Sequence, residues 1–343
     1  MKVCIFRLSA LGDVTHALTV ARRLQDKRPD IQITWIIGRL EQRLLQGVDG
    51  VEFIVFNKAD GTGAYRELRR ALRGRRFDVL LHMQVALRAN LASTLVRADR
   101  RIGYDHDRSR DMHGLFVDER IAAGNQQHVL EAMQSFLEPL GIAPAEPRWD
   151  IPLSSGDCAY ADEHVDANRR TLCISPVSSQ VLRNWHIGGY AAVADHAARE
   201  HNIQIILAGG PSDFERNFNQ SIESKMQTAA LNLTGKDTLK QLAALLGRCD
   251  LLLAPDTGPM HIANAMGTDV LGLHAASNPR RSGPYHSYKW CVDQYDAAAR
   301  KFRNRSADEI RWGTKIEHAG VMDLISVDHV IATLDAWAAE HPD

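Results

Sequence analysis

The sequence predicts an α/β protein built as two Rossmann-like domains, each a parallel β-sheet wrapped by helices. Short apolar runs alternate with helical periodicity in the first half of the chain, the same alternation restarts in the second half, and a stretch rich in Pro, Ser and Gly separates them. A length of 343 residues suits two domains that each bury a core. Two such halves place a ligand in a cleft at the carboxyl ends of their strands.

The first half begins with an apolar strand, Val3–Leu8, followed by a helix over Val14–Gln25 in which apolar residues recur at helical spacing. The same reasoning predicts strands at Ile31–Ile37, Val51–Phe56 and Val79–Met83, and helices near Tyr65–Leu72 and Leu87–Val96.

The segment Ala143–Asp157 contains three Pro, two Ser and one Gly, and we interpret it as the approach to an interdomain linker. The second half then predicts strands at Thr171–Ser175, Gln204–Ala208, Leu251–Ala254 and Val270–Leu273, and helices near Ile187–Arg199, Phe214–Lys225, Leu239–Leu246 and Pro259–Met266. We therefore expect domains at 1–155 and 156–325. A last segment, 326–343, carries an amphipathic helix, Val327–Ala339, that is expected to pack back on the first domain.

Composition is typical of a globular protein, with 45% hydrophobic and 24% charged residues, and the longest apolar runs are far shorter than a membrane span. The N-terminus reads as a strand instead of a secretory leader. Cys4, Cys173 and Cys249 fall in or beside apolar runs, which indicates buried thiols and a reducing cytoplasm. The 15 His show no HxxxH or HExxH pattern, so we expect no zinc site.

Charge is unevenly distributed along the chain. The net charge of −1 argues against a general nucleic-acid binder. Residues 1–150 hold 23 Lys and Arg against 19 Asp and Glu, a net charge of +4, whereas the remainder holds 18 against 23, a net charge of −5. The positive first half favours an anionic partner there.

The most informative motif, Asp256-Thr257-Gly258-Pro259-Met260-His261, follows the apolar strand Leu251–Ala254 and opens a helix. A strand, a polar turn and a helix N-terminus together present free backbone N–H groups and a positive dipole end to an anion. Asp256 and His261 add groups that could hold a sugar or a phosphate oxygen. Helix capping alone would require neither His261 nor the Asp-Thr-Gly triplet, so the motif predicts a binding site.

The first predicted strand leads into Arg7-Leu8-Ser9-Ala10-Leu11-Gly12-Asp13, which matches neither GxGxxG nor a Walker A loop. Asp13 opens the following helix. It could cap that helix, or it could face the cleft as a general base that takes a proton from a hydroxyl nucleophile. The residues alone leave both interpretations open.

Two more loops follow strands of the second half. Ser178, Ser179 and Arg183 combine hydroxyls with a guanidinium, a combination that suits a diphosphate. The alternative is a surface loop with a solvated arginine. Gly209-Gly210 lets the backbone approach a ligand. Asp213 or Glu215 beyond it could accept hydrogen bonds from ribose hydroxyls, or both could simply favour a helix N-terminus.

A basic helix face is predicted in the first half by arginines at i, i+3, i+4 and i+7, namely Arg66, Arg69, Arg70 and Arg73. Arg110, with Arg88 and Arg108, could extend it. A solvated face is the default interpretation, and a site for a phosphorylated or membrane-surface substrate is the alternative.

Taken together, these residues resemble the ADP-heptose:lipopolysaccharide heptosyltransferases, glycosyltransferase family 9. The resemblance is carried by Leu-Ser-Ala-Leu-Gly-Asp at 8–13, Arg-Asn-Trp at 183–185 and Asp-Thr-Gly-Pro-Met-His-Ile-Ala at 256–263. It implies a GT-B fold whose first domain binds the acceptor and whose second binds the nucleotide-sugar.

The resemblance further implies inverting, metal-independent transfer of heptose from ADP-heptose, with no other cofactor, to the lipopolysaccharide inner core. Kdo of Kdo-lipid A, as in a first-heptose enzyme, is the expected acceptor. The basic arginines, Arg66, Arg69, Arg70, Arg73 and Arg110, are expected to bind this anionic acceptor. The protein is then expected to be cytoplasmic and peripheral at the inner membrane.

In that family the residue matching Asp13 is the catalytic base, those matching Ser178 and Ser179 contact the donor phosphates, and those matching Asp256, Thr257, Gly258 and His261 bind the diphosphate and sugar. The family often has Lys where Arg183 stands, which bears on donor affinity because the two side chains bind phosphate differently. Alternatives are another GT-B transferase, a nucleotide-sugar epimerase, or a non-enzymatic nucleotide-sugar-responsive regulator.

Overall fold

The computed structural model describes residues 1–342, which form two compact units, Met1–Pro152 and the part of the chain from Leu153 onward. Each unit is an α/β layer structure with its own parallel sheet.

The first unit contains the strands β1 (Lys2–Phe6), β2 (Gln32–Ile37), β3 (Val51–Val55), β4 (Phe77–His82), β5 (Ala98–Gly103) and β6 (Glu119–Arg120). Its helices are α1 (Leu11–Lys27), α2 (Arg39–Leu45), α3 (Thr62–Ala71), α4 (Leu87–Ser93) and α5 (Val129–Gln134). The sheet order is β3-β2-β1-β4-β5-β6, and its paired strands are parallel. The order reverses between β1 and β4, so the loops after these two strands flank the switch point where doubly wound sheets bind ligands.

The second unit contains the strands β7 (Thr171–Ile174), β8 (Gln204–Leu207), β9 (Leu231–Asn232), β10 (Leu251–Pro255), β11 (Asp269–His274) and β12 (Val292–Asp293). Its helices are α6 (Ser155–His164), α7 (Ile187–Glu200), α8 (Asp213–Glu223), α9 (Leu239–Arg248), α10 (Gly258–Met266), α11 (Pro279–Ser282), α12 (Tyr295–Arg303) and α13 (Val327–Glu340). The order β12-β11-β10-β7-β8-β9 is again parallel and reverses between β7 and β10. The switch point therefore brings together the loops after β7 and β10.

The central strands are buried because their sequences are apolar on both faces. Val3 to Phe6 and Leu251 to Ala254 have no exposed surface, as expected of strands covered by helices on both sides. The core of the second unit includes Trp185 and Tyr190, and the Trp185 indole donates to the Ile325 carbonyl at 3.0 Å. Cys4, Cys173 and Cys249 are buried, as predicted.

The C-terminal helix α13 belongs to the second unit, and the expectation that it packs back on the first domain stays a prediction. Its apolar face, including Val330, Leu334 and Trp337, belongs to the buried core of that unit. The Trp337 indole also donates to Asp269 Oδ2 at 3.0 Å. Burial of this apolar face explains the placement.

The C-terminal end of the segment expected to be a linker, from Ser154 onward, is the start of α6. Ser154 accepts a hydrogen bond from the Asp157 amide, and Asp157 accepts one from the Ser154 amide at 2.8 Å, which is a capping box. Residues read from composition as a linker thus open α6. In the described part of the chain, no helix is long and apolar enough to cross a membrane.

Candidate functional site

The turn between β10 and α10 holds a buried carboxylate among cationic groups. Lys315 Nζ donates to Asp256 Oδ2 at 2.7 Å, and Arg183 Nη1 lies 3.9 Å from the same oxygen. His261 Nε2 lies 3.8 Å from Asp256 Oδ1. The structure therefore brings together three residues predicted to bind the donor, Arg183, Asp256 and His261, and adds Lys315.

Burial and the neighbouring charges determine which groups of this cluster are protonated. Burial alone would raise the pKa of Asp256, but the positive charge of Lys315, with smaller contributions from His261 and His274, holds that pKa well below its usual value. Burial lowers the pKa of His274 to about 4, against the attraction of Asp256. Burial also lowers the pKa of Lys315, and Asp256 opposes this shift. At neutral pH Asp256 is ionised and His274 is neutral.

The N-terminus of α10 has no side-chain cap. Thr257 occupies the N-cap position without a capping hydrogen bond, and its buried Oγ1 has no hydrogen-bond partner among the described residues. Gly258 is the first helical residue, so no Cβ stands at that position. Uncapped N–H groups, a free hydroxyl and the positive end of the helix dipole together suit an anionic ligand.

The loop after β7 holds the predicted phosphate contacts. The Arg183 guanidinium forms an ion pair with Glu317, with Nε at 2.9 Å from Oε1. Ser178 is buried, and its Oγ accepts from the Gln180 amide at 3.2 Å, whereas Ser179 is exposed. Since β7 and β10 are neighbours, this loop leaves the same edge of the sheet as Asp256.

Glu215 shapes the turn after β8. Its carboxylate accepts from the Gly210 amide and from Ser212 Oγ, the latter at 3.2 Å, while the Glu215 amide donates to Ser212 Oγ at 3.3 Å. These contacts make Glu215 part of the cap of α8. The prediction that it binds ribose is not tested by them.

Sequence reasoning missed Lys315 and Glu317. They flank Ile316, which is 1% exposed and whose amide donates to the Ala276 carbonyl at 2.8 Å. This pairing anchors the segment beside the loop after β11, so that Lys315 contacts Asp256 and Glu317 contacts Arg183. The only signal in the sequence is an apolar residue between two opposite charges.

In the first unit, Asp13 lies in the first turn of α1. Its Oδ2 accepts from the Ala10 amide at 3.1 Å and pairs with the Arg7 guanidinium. Asp13 is thus the third helical residue, which bonds the amide of the N-cap Ala10, and is not itself the N-cap. Both contacts use Oδ2, however, and the side chain is 31% exposed, which leaves Oδ1 able to contact a substrate.

The surroundings of Asp13 come from the loop after β4 and from α2. Gln84 Oε1 accepts from the Leu8 amide at 2.6 Å, and Arg7 Nη1 donates to the Met83 carbonyl at 2.5 Å. Burial raises the pKa of the Glu41 carboxyl, and the negative charge of Asp13 adds to the increase while Lys58 and Arg7 oppose it. Sequence reasoning did not single out Glu41.

The arginines predicted to bind an acceptor lie on the surface of the first unit. Arg66, Arg69 and Arg70 are on the exposed side of α3, Arg73 follows that helix, and Arg110 is in the loop after β5. Arg75 and Arg76, next to this set, pair with Glu52 and Asp99. The role of the exposed arginines stays a prediction.

Comparison with known proteins identifies relatives. The sequence profile described as glycosyltransferase family 9 (heptosyltransferase) matches residues 65–310. The chain is 39% identical over 332 residues to the lipopolysaccharide core heptosyltransferase OpsX of Haemophilus influenzae, covering 97% of this chain and 95% of that one. It is 22% identical over 329 residues to lipopolysaccharide heptosyltransferase 2 of Escherichia coli, covering 90% and 92%.

Solved structures share the fold. The E. coli ADP-heptose lipopolysaccharide heptosyltransferase II matches with a TM-score of 0.73 at 18% identity, covering 99% of each chain. E. coli heptosyltransferase WaaC with ADP matches with a TM-score of 0.71 at 19% identity, covering 85% of this chain and 92% of that one. The predicted GT-B class, with two Rossmann-like α/β domains, is confirmed.

Proposed function

Since this chain belongs to glycosyltransferase family 9 and is a heptosyltransferase of the lipopolysaccharide core, we propose that it transfers heptose from ADP-heptose to Kdo of Kdo-lipid A. The proposal includes inversion at the anomeric carbon, Asp13 as general base and no metal ion. The core assignment follows the 39% identical relative from H. influenzae. The observation that carries the donor assignment is the uncapped N-terminus of α10 beside the Asp256 cluster.

The second unit binds the donor in this proposal. The diphosphate lies against the first-turn N–H groups of α10 and the Thr257 hydroxyl, and the Arg183 guanidinium turns from Glu317 to a phosphate oxygen. Asp256 and His261 hydrogen-bond the sugar hydroxyls, and Ser178 and Ser179 contact the phosphates. Lys315 keeps Asp256 ionised.

The chemical step is a direct displacement. Asp13 Oδ1 takes the proton of an acceptor hydroxyl, and that oxygen attacks the anomeric carbon while the bond to the diphosphate breaks on the opposite face. Arg7 pairs with Oδ2 and orients the carboxylate. Negative charge grows on the departing ADP, where Arg183 and the N–H groups of α10 stabilise it in place of a metal ion.

The first unit binds the acceptor. Kdo and lipid A phosphates are anionic, and the exposed arginines Arg66, Arg69, Arg70, Arg73 and Arg110 give this unit matching positive charge. An acceptor anchored in a bilayer places the enzyme, in this proposal, at the cytoplasmic face of the inner membrane as a peripheral protein. No nucleic acid takes part.

The test is ADP release by the purified protein from ADP-heptose, with and without Kdo-lipid A, in the presence of EDTA. The expected result is release that requires the acceptor and resists EDTA. Release only with an already heptosylated core would replace Kdo by heptose as the acceptor. Turnover without any acceptor would favour an epimerase or hydrolase, and loss of turnover in EDTA would overturn the metal-free mechanism.

A further inference from the structure

Four large apolar side chains are exposed together on the first unit. Leu87 and Leu91 lie one turn apart on α4 and are 44% and 48% exposed, while Met112 and Leu115 in the loop after β5 are 62% and 79% exposed. The same helix buries Ala89 and Ala92. The two leucines thus form an outward face with no covering element among the described residues.

Hydrogen bonds place the loop and the helix side by side. Asp111 Oδ2 accepts from the Leu87 amide at 3.0 Å, and the Asp111 carbonyl accepts from Asn90 Nδ2 at 2.8 Å. Asp111 and Met112 both have positive φ, 51° and 57°, which turns the chain sharply here. Met112 therefore follows a residue fixed to the N-terminal turn of α4, and Leu115 is three residues further on.

The basic helix adjoins these apolar residues. Tyr65 Oη on α3 donates to the Arg88 carbonyl on α4 at 3.3 Å, which sets the two helices next to each other. Arg66 and Arg69 lie on α3 beside Tyr65, Arg88 lies on α4, and Arg110 lies in the loop after β5, two residues before Met112. We call the four apolar residues and the exposed arginines Arg66, Arg69, Arg70, Arg73, Arg88 and Arg110 the docking face.

The charge of the docking face is strongly positive. Its arginines are exposed, and none of them forms an ion pair with the acidic side chains of residues 1–342. The same segments also hold acids: Glu67 on α3, and Asp105, Asp107 and Asp111 in the loop after β5, of which Asp105 pairs with Arg108 and Asp111 bonds the α4 amide. By contrast Arg75, Arg76 and Arg100, just outside the face, each pair with a carboxylate.

We propose that the docking face binds the surface of an anionic lipid bilayer, with Leu87, Leu91, Met112 and Leu115 entering the headgroup layer and the arginines contacting lipid phosphates. Interfacial segments combine exposed apolar side chains with Lys or Arg in this way. The side chains protrude from a helix and a loop tip instead of lining a groove, which favours a fluid surface over a shaped protein partner. The biological role of this bilayer binding rests on the proposed function, because the proposed acceptor is lipid-anchored.

The experiment is co-sedimentation of the full chain with vesicles. Phosphatidylglycerol–phosphatidylethanolamine vesicles are compared with phosphatidylcholine vesicles at low and high salt. We expect binding to the anionic vesicles, weakened by salt, and little binding to phosphatidylcholine. Failure of the wild-type chain to bind anionic vesicles at low salt would overturn the proposal.

Substitutions on the docking face, compared with similar substitutions on the second unit, distinguish binding through this face from non-specific binding of the protein to vesicles. Met112→Ser with Leu115→Ser is expected to lower the partition coefficient by about tenfold or more, since two apolar side chains leave the interface. Leu231→Ser removes a leucine that is 36% exposed in the second unit and should change nothing. Arg69→Gln should weaken binding about fivefold and Arg305→Gln, an exposed arginine of the second unit, should not. Equal binding by the face variants and their controls would overturn the proposal.

Activity measurements distinguish the bilayer from the acceptor sugar. The Met112→Ser, Leu115→Ser variant should keep its turnover on a water-soluble, deacylated acceptor and lose turnover on acceptor embedded in vesicles. Loss on both acceptors would assign these residues to the sugar site and overturn the proposal. If wild type binds anionic vesicles but turns over neither acceptor, the proposed acceptor is wrong and the docking face stands.

Discussion

The N-termini of α1 and α10 lie at equivalent positions in their sheets, but the carboxylates beside them bond different partners. Both follow a central strand at the switch point of a parallel sheet. At α1 the chain supplies its own anion, because Asp13 accepts the Ala10 amide and pairs with Arg7. At α10 the carboxylate of Asp256 is bonded instead by Lys315, and the Thr257 hydroxyl makes no cap. Neither N-cap side chain bonds a first-turn N–H group, so the start of α1 is filled only in that Asp13 bonds the N-cap amide, and the start of α10 is open in that Asp256 bonds Lys315 instead.

Replacing the carboxylate at the filled start gives the largest expected effect. Asp13→Asn keeps an oxygen that can accept the Ala10 amide, so the fold should persist, but an amide cannot take the acceptor proton. We expect kcat to fall by about 100-fold or more. Steady-state ADP release measures it, with circular dichroism as the control for folding. A variant that retained most of its kcat would remove Asp13 from the role of base.

Removing the cation at the open start should affect stability and donor binding together. Lys315→Met leaves the buried Asp256 without its main partner, at a cost of about 3 kcal/mol in the free energy of unfolding. KM for ADP-heptose should rise as well. Asp256→Asn added to Lys315→Met should recover part of the stability, which urea unfolding of both variants measures. If the double variant were no more stable than Lys315→Met, the ion pair would not explain the loss.

Burial of His274, at the end of β11, should make the second unit sensitive to acid. The pKa of His274 is lowered to about 4 in the folded state from an ordinary 6.5, so the unfolded chain binds more protons between these values. Stability is then full above about pH 6.5 and is lost as pH falls toward 4. Between pH 7 and pH 5 we expect a loss of about 2 kcal/mol that His274→Asn lacks. Identical pH profiles for wild type and variant would contradict this assignment.

The smallest effect is expected at the Thr257 hydroxyl. Because this buried group has no partner, Thr257→Val should leave the free energy of unfolding within about 1 kcal/mol of wild type or raise it. If the hydroxyl meets a donor phosphate, KM for ADP-heptose should rise about fivefold with kcat little changed. A variant that lost stability but kept its KM would make Thr257 structural.

Local patterns predicted the parts of both sites that depend on neighbours in sequence. The strand, turn and helix around Asp256 and Asp13 follow from apolar runs and cap signals within about ten residues. Lys315 could not be predicted, because it reaches Asp256 across 59 residues through a backbone pairing of Ile316 that no periodicity encodes. The strands β6, β9 and β12 were missed for a related reason, since two-residue edge strands show no alternation.

The boundary between the units, after Pro152, lies inside the segment 143–157, but composition did not show that the serines at its end open a helix. Ser154 looked like part of a linker and is the N-cap of α6. The strand β5 escaped notice because it carries Arg100 and Arg101. Arg101 is accommodated by donating to the carbonyls of Ser93, Val96 and Phe116, partners that only the fold supplies.

The anchoring of Ile316 to Ala276 has a consequence for how the protein is made. Asp256 leaves the ribosome 59 residues before Lys315, so the nascent second unit holds its buried carboxylate without the cation that stabilises it. The carboxylate must stay solvated or protonated until the Lys315 segment docks. Ordering of the turn after β10 is thereby delayed until the sheet around it is complete, and a chain that stops after α12 carries the Asp256 carboxylate without the cation that balances its charge.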